Sequence, residues 1–333
     1  MGTKHKTPQH IIDTIYELHL QGLSSRKICH ELGWSESKKS TVNYILADIR
    51  KGKLKYSKSD VTLKTKMPKV LFFDIETSAL MSEHFGLFKQ NIGLSQIARD
   101  WSVLSWAAKW MHEDEVMYMD IRDQFDGSAD SILKQPDDSE MLKVIWKLMD
   151  EADILVGQNN VKFDNKKLNA RFIQNGMQPY SPVKNIDTLL IAKKHFGFTS
   201  NKLAYMTDKL CTKYKKLDHG KFAGMELWLQ CVRGNEEAWD EMSEYNKYDV
   251  LSLEELTMKL APWSNMLPNL DLYHDTSDNL CFCGNTDWEH AGFSYTGLSK
   301  FHVHKCTACG YHKRDRVNLH SKEKMKTLRM NVT

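Results

Sequence analysis

Four carboxylates and one tyrosine are the residues of this 333-residue chain whose types and spacing point most clearly to chemistry. Asp74 and Glu76 lie two residues apart in the apolar segment VLFFDIET, Asp164 follows the polar stretch GQNNVKF, and Tyr245 and Asp249 lie four residues apart. Four acids that converge on one pocket can bind two divalent metal ions and support hydrolysis of a phosphodiester bond. Whether these residues converge depends on the strands and helices that carry them.

The first two acids lie in a predicted strand. Residues 70–75 form an apolar run that is typical of a buried strand. Alternate residues of a strand face the same side, so Asp74 and Glu76 are expected on one face, about 7 Å apart along the strand. An exposed pair of surface acids is the alternative, but the apolar run before them disfavours it.

The remaining acids are expected on helices predicted over residues 164–175 and 241–260. Asp164 would begin the first helix, and the spacing of four puts Tyr245 and Asp249 on one face of the second. Taken singly, Asp164 fits a helix cap and the tyrosine–aspartate pair fits a structural role. The occurrence of all three motifs in this order favours a shared site.

Residues 70–262 alternate strands and helices. Further strands are predicted at 101–111, 116–121 and 154–156, whereas 200–240 reads as helical or irregular. Mixed strands with interspersed helices predict an α/β fold with helices packed on a mixed sheet.

The three acidic motifs resemble those of the DEDD exonuclease superfamily, which has a ribonuclease H-like fold. The tyrosine four residues before the last aspartate is similar to the DEDDy branch, which includes the proofreading domains of family B DNA polymerases. The resemblance covers residues 70–262 and implies a ribonuclease H-like mixed-sheet exonuclease core. It also implies a metal-dependent 3′–5′ exonuclease that hydrolyses phosphodiester bonds by a two-metal-ion mechanism.

The resemblance also implies a role for each acid. Asp74 would bridge two Mg²⁺ or Mn²⁺ ions, both of which suit oxygen ligands. Glu76 and Asp249 would complete the site of the nucleophile-side ion, Asp164 would help hold the second ion through water, and Tyr245 would orient the attacking water.

The resemblance further implies that two residues near Asp164 bind substrate. Asn159 and Phe163 would line the substrate groove, with Phe163 a candidate for stacking on a base. Packing of Phe163 against the start of its helix is an equally weighted alternative.

Residues 8–50 are predicted as a three-helix module, with Ser24 or Ser25 capping the second helix and Ser35 the third. The strings GLSSRKI, LG and TV resemble a resolvase-type helix-turn-helix, although the spacing before TV is about three residues longer than usual. Binding of DNA is favoured over a protein-interaction role, because the linker 51–69 has seven lysines and one acid. The residues expected to reach DNA are Lys38, Lys39, Ser40 and Asn43.

Four cysteines in residues 270–318 predict a small unit built around one structural Zn²⁺. The segment KCTACG resembles the second half of a zinc ribbon, whereas CFCG is one residue shorter than the usual first half. That shortening leaves His302 or His304 as a substitute for Cys281, and four free thiols remain the alternative to zinc. The predicted ligands are Cys281, Cys283, Cys306 and Cys309.

Charge is distributed unevenly along the chain. Residues 1–69 contain 14 Lys and Arg against 6 Asp and Glu, residues 299–333 contain 9 against 2, and residues 70–298 contain 23 against 35. An acidic centre between two basic ends suits a metal-loaded hydrolase held on a polyanion, and an unevenly charged solvated surface is the alternative. The basic tail 319–333 is expected to be frayed.

Composition and motifs together lead to one functional expectation. Seven cysteines without a disulfide pattern, no signal-like start and no run of 18 apolar residues favour a cytoplasmic protein without membrane spans. The expected function is a 3′–5′ exonuclease that acts on DNA rather than RNA; the three-module layout would suit a phage protein in its host's cytoplasm. The alternatives are a structure-specific endonuclease, a ribonuclease of the same fold, and a DNA-binding regulator whose nuclease fold is a scaffold.

Overall fold

A computed structural model describes residues 7–20, 23–54, 68–86, 88–214, 220–273, 279–330 and 332. The chain divides between residues 64 and 65 into two compact units. Gly22 and most of the predicted basic linker, residues 55–67, lie outside the described residues. No helix in the described part of the chain is long and apolar enough to cross a membrane.

The first unit contains three helices, α1 (Gln9–Leu20), α2 (Ser25–Glu31) and α3 (Lys39–Arg50). The side chain of Ser24 caps α2 by accepting a hydrogen bond from the Lys27 amide. Ser35 does not cap the third helix as predicted, because a 3₁₀ turn occupies the three residues before α3. The helices enclose a small core that consists of Ile12, Ile15, Ile28, Cys29, Val42, Ile45, Leu46 and Ile49.

The second unit is built around a five-stranded mixed sheet. The strands up to residue 187 are β1 (Val70–Thr77), β2 (Met81–Ser82), β3 (Ile97–Arg99), β4 (Val103–Trp110), β5 (Met117–Asp120), β6 (Ile154–Gly157) and β7 (Lys184–Asp187). The five-stranded sheet has the order β5-β4-β1-β6-β7. The strand β1 pairs antiparallel with β4 and parallel with β6, and it therefore lies in the middle of the sheet. The strands β2 and β3, which lie between β1 and β4 along the chain, form a short two-stranded sheet.

Helices cover both faces of this sheet. They are α4 (Ala129–Leu133), α5 (Ser139–Glu151), α6 (Asp164–Gln174), α7 (Thr188–His195), α8 (Leu203–Leu210), α9 (Glu226–Val232) and α10 (Glu236–Leu260). The predicted α/β fold is confirmed. The helix predicted from residue 241 instead begins at Glu236, because the side chain of Asn235 accepts hydrogen bonds from two amides of the first turn.

The alternation of β1 assigns its side chains to two separate cores. Leu71, Phe73 and Ile75 belong to one buried cluster, whereas Val70 and Phe72 belong to a second cluster on the opposite face. The second cluster also contains four apolar residues from the C-terminal half of α10. Because side chains alternate along a strand, the two acids of β1 face the side on which this half of α10 packs.

A separate three-stranded antiparallel sheet follows, with β8 (Trp288–Thr296), β9 (Ser299–Cys306) and β10 (His312–Arg314) in the order β10-β9-β8. Lys313 attaches it to the preceding segment, since its ammonium group lies 2.8 Å from an oxygen of Asp271. Leu280 and Phe282 pack into the second core. The tail expected to be frayed contains a short helix, α11 (Lys322–Thr327).

A buried ion pair joins α6 to the start of α5. Arg171 donates two hydrogen bonds, of 2.9 and 2.6 Å, to the carboxylate of Asp138, which also accepts from the Val103 amide. The Asp138 side chain is fully buried. Removal of the cation from such a pair leaves an uncompensated buried charge.

Arg171→Met is therefore expected to lower the free energy of unfolding by about 3 kcal/mol, measured by chemical denaturation. The matched control is Arg233→Met, whose partner Glu226 is 3.6 Å away on an exposed surface. This control should change stability by less than about 1 kcal/mol. Equal effects of the two substitutions would show that the buried pair has no special role.

Candidate functional site

Three carboxylates converge where β1 meets α10. One oxygen each from Asp74, Glu76 and Asp249 lie within 4.8 Å of one another. Asp249 is buried, and the two acids of β1 are partly exposed. Three negative charges at such separations repel one another strongly, so this acidic trio favours the binding of cations.

Two residues that the sequence analysis did not single out hold the acids of β1. Asn246 donates a hydrogen bond of 2.8 Å to Asp74, and the Asn246 side-chain oxygen accepts one from Ser105. The indole nitrogen of Trp228 donates a hydrogen bond of 2.9 Å to Glu76. These hydrogen bonds orient the carboxylates of Asp74 and Glu76, each through one of its two oxygens.

Tyr245 lies one turn before Asp249 on α10 and is only 7% exposed. Its ring packs edge-to-face against Trp228, with 6.0 Å between the ring centroids. Trp228 therefore contacts both the tyrosine and an acid of the trio. The spacing of four residues does place Tyr245 and the last aspartate together, as the helical pattern predicts.

Asp164 is the first residue of α6 and lies outside the acidic trio of the described residues. Its carboxylate accepts a hydrogen bond of 3.3 Å from the amide of Ile75, which lies between the two acids of β1. Burial, to which the negative charge of Asp187 adds, raises the pKa of Asp164 to about 7. The fourth acid therefore lies beside the trio in a more apolar environment.

Asp187, at the end of β7, is a further buried acid that the sequence analysis missed. One of its oxygens accepts hydrogen bonds from the amides of Leu189 and Leu190 and thereby caps α7. The same oxygen accepts a hydrogen bond of 3.0 Å from the amide of Asn159. Asn159 has a positive φ of 65°, and the contact with Asp187 helps to stabilise this backbone conformation. A polar residue directly before a helix was the available sequence signal.

An aromatic and cationic group lies next to Asp164. Phe163 is 39% exposed, and the ammonium group of Lys167 lies 5.8 Å from its ring centroid. The same ammonium group lies 3.6 Å from the ring centroid of Trp101. The structure thus adds Trp101 and Lys167 to the predicted stacking residue.

Comparison with known proteins identifies the family of this region. Residues 71–261, more than half of the chain, match the family model described as the RNase_H superfamily. The chain belongs to the RNase_H superfamily. Its fold is that of RNase H-like nucleases, which use divalent metal ions, and the acidic trio could bind such ions.

Among solved structures, the chain is similar to the family B DNA polymerase from the hyperthermophilic archaeon Pyrobaculum calidifontis. The two share 15% sequence identity with a TM-score of 0.41, over 64% of this chain and 28% of that polymerase chain. No curated protein matches the sequence significantly.

The side chains of the four cysteines predicted as zinc ligands lie close together. The sulfur atoms of Cys281 and Cys309 are 3.5 Å apart, those of Cys283 and Cys306 are 3.7 Å apart, and all four lie within 4.8 Å of one another. The two histidines considered as substitutes for Cys281 have other contacts: His304 pairs with Asp315, and His302 contacts His290. The geometry is that of a set that could bind one metal ion.

The residues predicted to reach DNA lie on the surface of the helical unit. Lys38 lies in the 3₁₀ turn, with its ammonium group 4.8 Å from the ring centroid of Trp34, and Lys39 begins α3. Asn43 is exposed one turn later and accepts a hydrogen bond from the Ser25 hydroxyl.

The raised pKa of Asp164 predicts a pH dependence of stability in metal-free buffer. Between pH 4 and about 7 the folded protein keeps a proton that the unfolded chain has lost, so stability falls as pH rises. The decrease is at most about 1.4 kcal/mol per pH unit. Asp164→Asn lacks this titration, so its stability relative to the wild type should increase over this interval and become constant at higher pH. Chemical denaturation at several pH values measures the difference; a difference independent of pH would contradict the prediction.

Proposed function

We propose that this protein is a metal-dependent 3′–5′ exonuclease that hydrolyses phosphodiester bonds of DNA. The observation that supports the proposal most is the acidic trio, Asp74, Glu76 and Asp249, with ligand oxygens within 4.8 Å of one another. The donors are all carboxylate oxygens, which suit Mg²⁺ or Mn²⁺. The residues therefore fit the metal ions that an RNase H-like nuclease needs.

The proposed roles follow the contacts of each residue. Two bound Mg²⁺ or Mn²⁺ ions would lower the pKa of the attacking water and stabilise the charge that develops on the leaving 3′ oxygen. Asp74 would bind both ions, Glu76 and Asp249 would complete the first site, and Asp164 would support the second through water. Tyr245 would orient the attacking water from its largely buried position.

Asn246 and Trp228 would preorganise the site, because each donates a hydrogen bond to an acid of β1. A fixed carboxylate needs less rearrangement when an ion binds, which is the usual function of residues behind metal ligands. Each hydrogen bond engages one oxygen of its carboxylate.

The substrate would be a single-stranded 3′ end. Phe163 and Trp101 offer aromatic surfaces beside the acids, and Lys167 lies between them as a cation for a phosphate. Asn159 would contact the same strand. The preference for DNA rests on the helical unit, whose exposed lysines would hold a neighbouring duplex.

Asp74→Asn tests the catalytic proposal. Wild type with Mg²⁺ or Mn²⁺ should shorten 5′-labelled single-stranded DNA in single-nucleotide steps. The variant should be slower by at least about a thousandfold, because several kcal/mol of metal-dependent stabilisation are lost. Asp130→Asn, which changes an exposed acid of α4, should keep wild-type activity.

Substrate choice separates the alternatives in the same assay. Internal cuts in circular single-stranded DNA would replace the proposal with an endonuclease. Cleavage of matched RNA alone would replace it with a ribonuclease. Binding of DNA without cleavage of any substrate by wild type would favour a regulator with a silent nuclease fold.

We further propose that Cys281, Cys283, Cys306 and Cys309 bind one structural Zn²⁺, which would join the loop before β8 to the end of β9. The purified chain should contain about one zinc per molecule by elemental analysis. Cys309→Ser should reduce the zinc content and lower the melting temperature, since metal binding contributes to folding. Cys29→Ala, which changes a buried thiol of the helical unit, should keep the zinc. If Cys309→Ser left the zinc content unchanged, the proposal that these four cysteines bind zinc would be contradicted.

The helical unit is proposed to bind duplex DNA through Lys38, Lys39 and Asn43. If both lysines contact phosphates, the double variant Lys38→Ala/Lys39→Ala should bind duplex more weakly. For this variant, the slope of log K for duplex binding against log salt concentration should become shallower by about 1.8, because each phosphate contact contributes about 0.9. Lys143→Ala/Lys147→Ala, on α5, is the charge-matched control. Equal salt slopes for wild type and the first variant would remove these lysines from the interface.

A further inference from the structure

One face of the three-stranded sheet presents a continuous row of aromatic, imidazole and ammonium groups. In the register of β8 and β9, cross-strand neighbours share a face: position 290 pairs with 304, 293 with 302, and 295 with 300. The aromatic face is defined by His290, Phe293, Tyr295, Lys300, His302 and His304, and the next pair on the same side of the sheet is Trp288 with Cys306 of the cysteine cluster.

An irregularity in β8 creates this face. His290 and Phe293 are three residues apart, and in a regular strand they would point to opposite sides. The register shifts between them, and Gly292 adopts a positive φ of 93° there, as at a bulge. The extra residue returns the Phe293 side chain to the same side as His290.

The two faces of this sheet differ in exposure. Phe293 is 43% exposed and Tyr295 is 67% exposed, although both are large aromatic residues. On the opposite face Phe301 is buried, with the guanidinium group of Arg314 4.1 Å from its ring centroid. The aromatic face is therefore the side on which rings remain open to a ligand.

Contacts among the side chains of the aromatic face hold them in position. The ammonium group of Lys300 lies 3.8 Å from the ring centroid of Phe293 and 5.8 Å from that of Tyr295. The imidazole nitrogens of His290 and His302 are 3.0 Å apart, and the His302 ring lies 5.3 Å from Phe293. The rings thus lie side by side with a cation at one end.

The strands and turns of this sheet together carry a net positive charge. Residues 288–314, all of which the structure describes, contain four lysines and arginines and a single acid, Glu289. Glu289 lies on the opposite face, where it pairs with Lys305 at 3.3 Å. The only acid of the described sheet is thus paired away from the aromatic face. Asp315, directly after β10, pairs with His304 at 3.0 Å, at the end of the row away from Tyr295. A polyanion would therefore meet no carboxylate of the sheet beside Tyr295 and Lys300.

We propose that the aromatic face is a binding site for single-stranded nucleic acid, separate from the acidic trio. Bases stack on Tyr295 and Phe293, and Lys300 lies at the phosphates. Exposed rings with interleaved cations suit unstacked bases, whereas a duplex keeps its bases inside. The proposal concerns binding alone and does not depend on cleavage at the trio.

The test measures binding by the full-length chain with Asp74→Asn, without added divalent ions, so that the probe stays intact. The probe is a fluorescein-labelled oligothymidine, followed by anisotropy at several salt concentrations. In this background Tyr295→Ala and Phe293→Ala should each weaken binding at least about fivefold. Lys300→Ala should reduce the salt slope by about 0.7. Tyr295→Trp should keep the affinity that Tyr295→Ala loses, because tryptophan also offers an aromatic ring.

Thr296→Ala is the matched control, since Thr296 is an exposed residue of the same strand on the opposite face. Its affinity should equal that of the background chain, and zinc content and melting temperature should match in all variants. The proposal would be overturned if Tyr295→Ala and Phe293→Ala left the affinity for the probe unchanged. Loss of self-association by these variants with unchanged probe affinity would overturn it in favour of a contact between copies. An equal loss for a blunt duplex would also overturn it, because stacking requires unpaired bases.

Discussion

The structure of the second unit depends on the packing of α10 against the central strand β1. This packing brings Asp249 to Asp74 and Glu76, which repel one another when ionised. The apolar residues of β1 and α10 that share a core hold the acids in place despite that repulsion. Hydrophobic burial thus holds together a group of carboxylates that favours the binding of cations.

The surroundings divide the acids into two classes. Those of β1 are partly exposed and receive hydrogen bonds from Asn246 and Trp228. Asp164 is buried beside Asp187, and its pKa is raised accordingly. A bound cation would reverse that shift by stabilising the Asp164 carboxylate, so metal binding and proton release at this position are expected to be linked.

Local patterns in the sequence predicted much of this arrangement. Strand alternation placed Asp74 and Glu76 together, and helical spacing did the same for Tyr245 and Asp249. Trp228 could not be found in this way, because it is 152 residues from Glu76 and its contact depends on how α9 packs. The short spacing between Cys281 and Cys283 left the fourth zinc ligand open, and only the tertiary structure brings both sulfurs to the same cluster. The start of α10 was missed although Asn235 is a recognisable cap.

The proposed activity requires that the acidic trio binds divalent metal. Crystals of the wild-type chain grown with millimolar Mn²⁺ would test it most directly, through anomalous scattering that identifies manganese. We expect an anomalous peak within bonding distance, about 2.2 Å, of oxygens from Asp74, Glu76 and Asp249. A well-ordered trio without a manganese peak would contradict it.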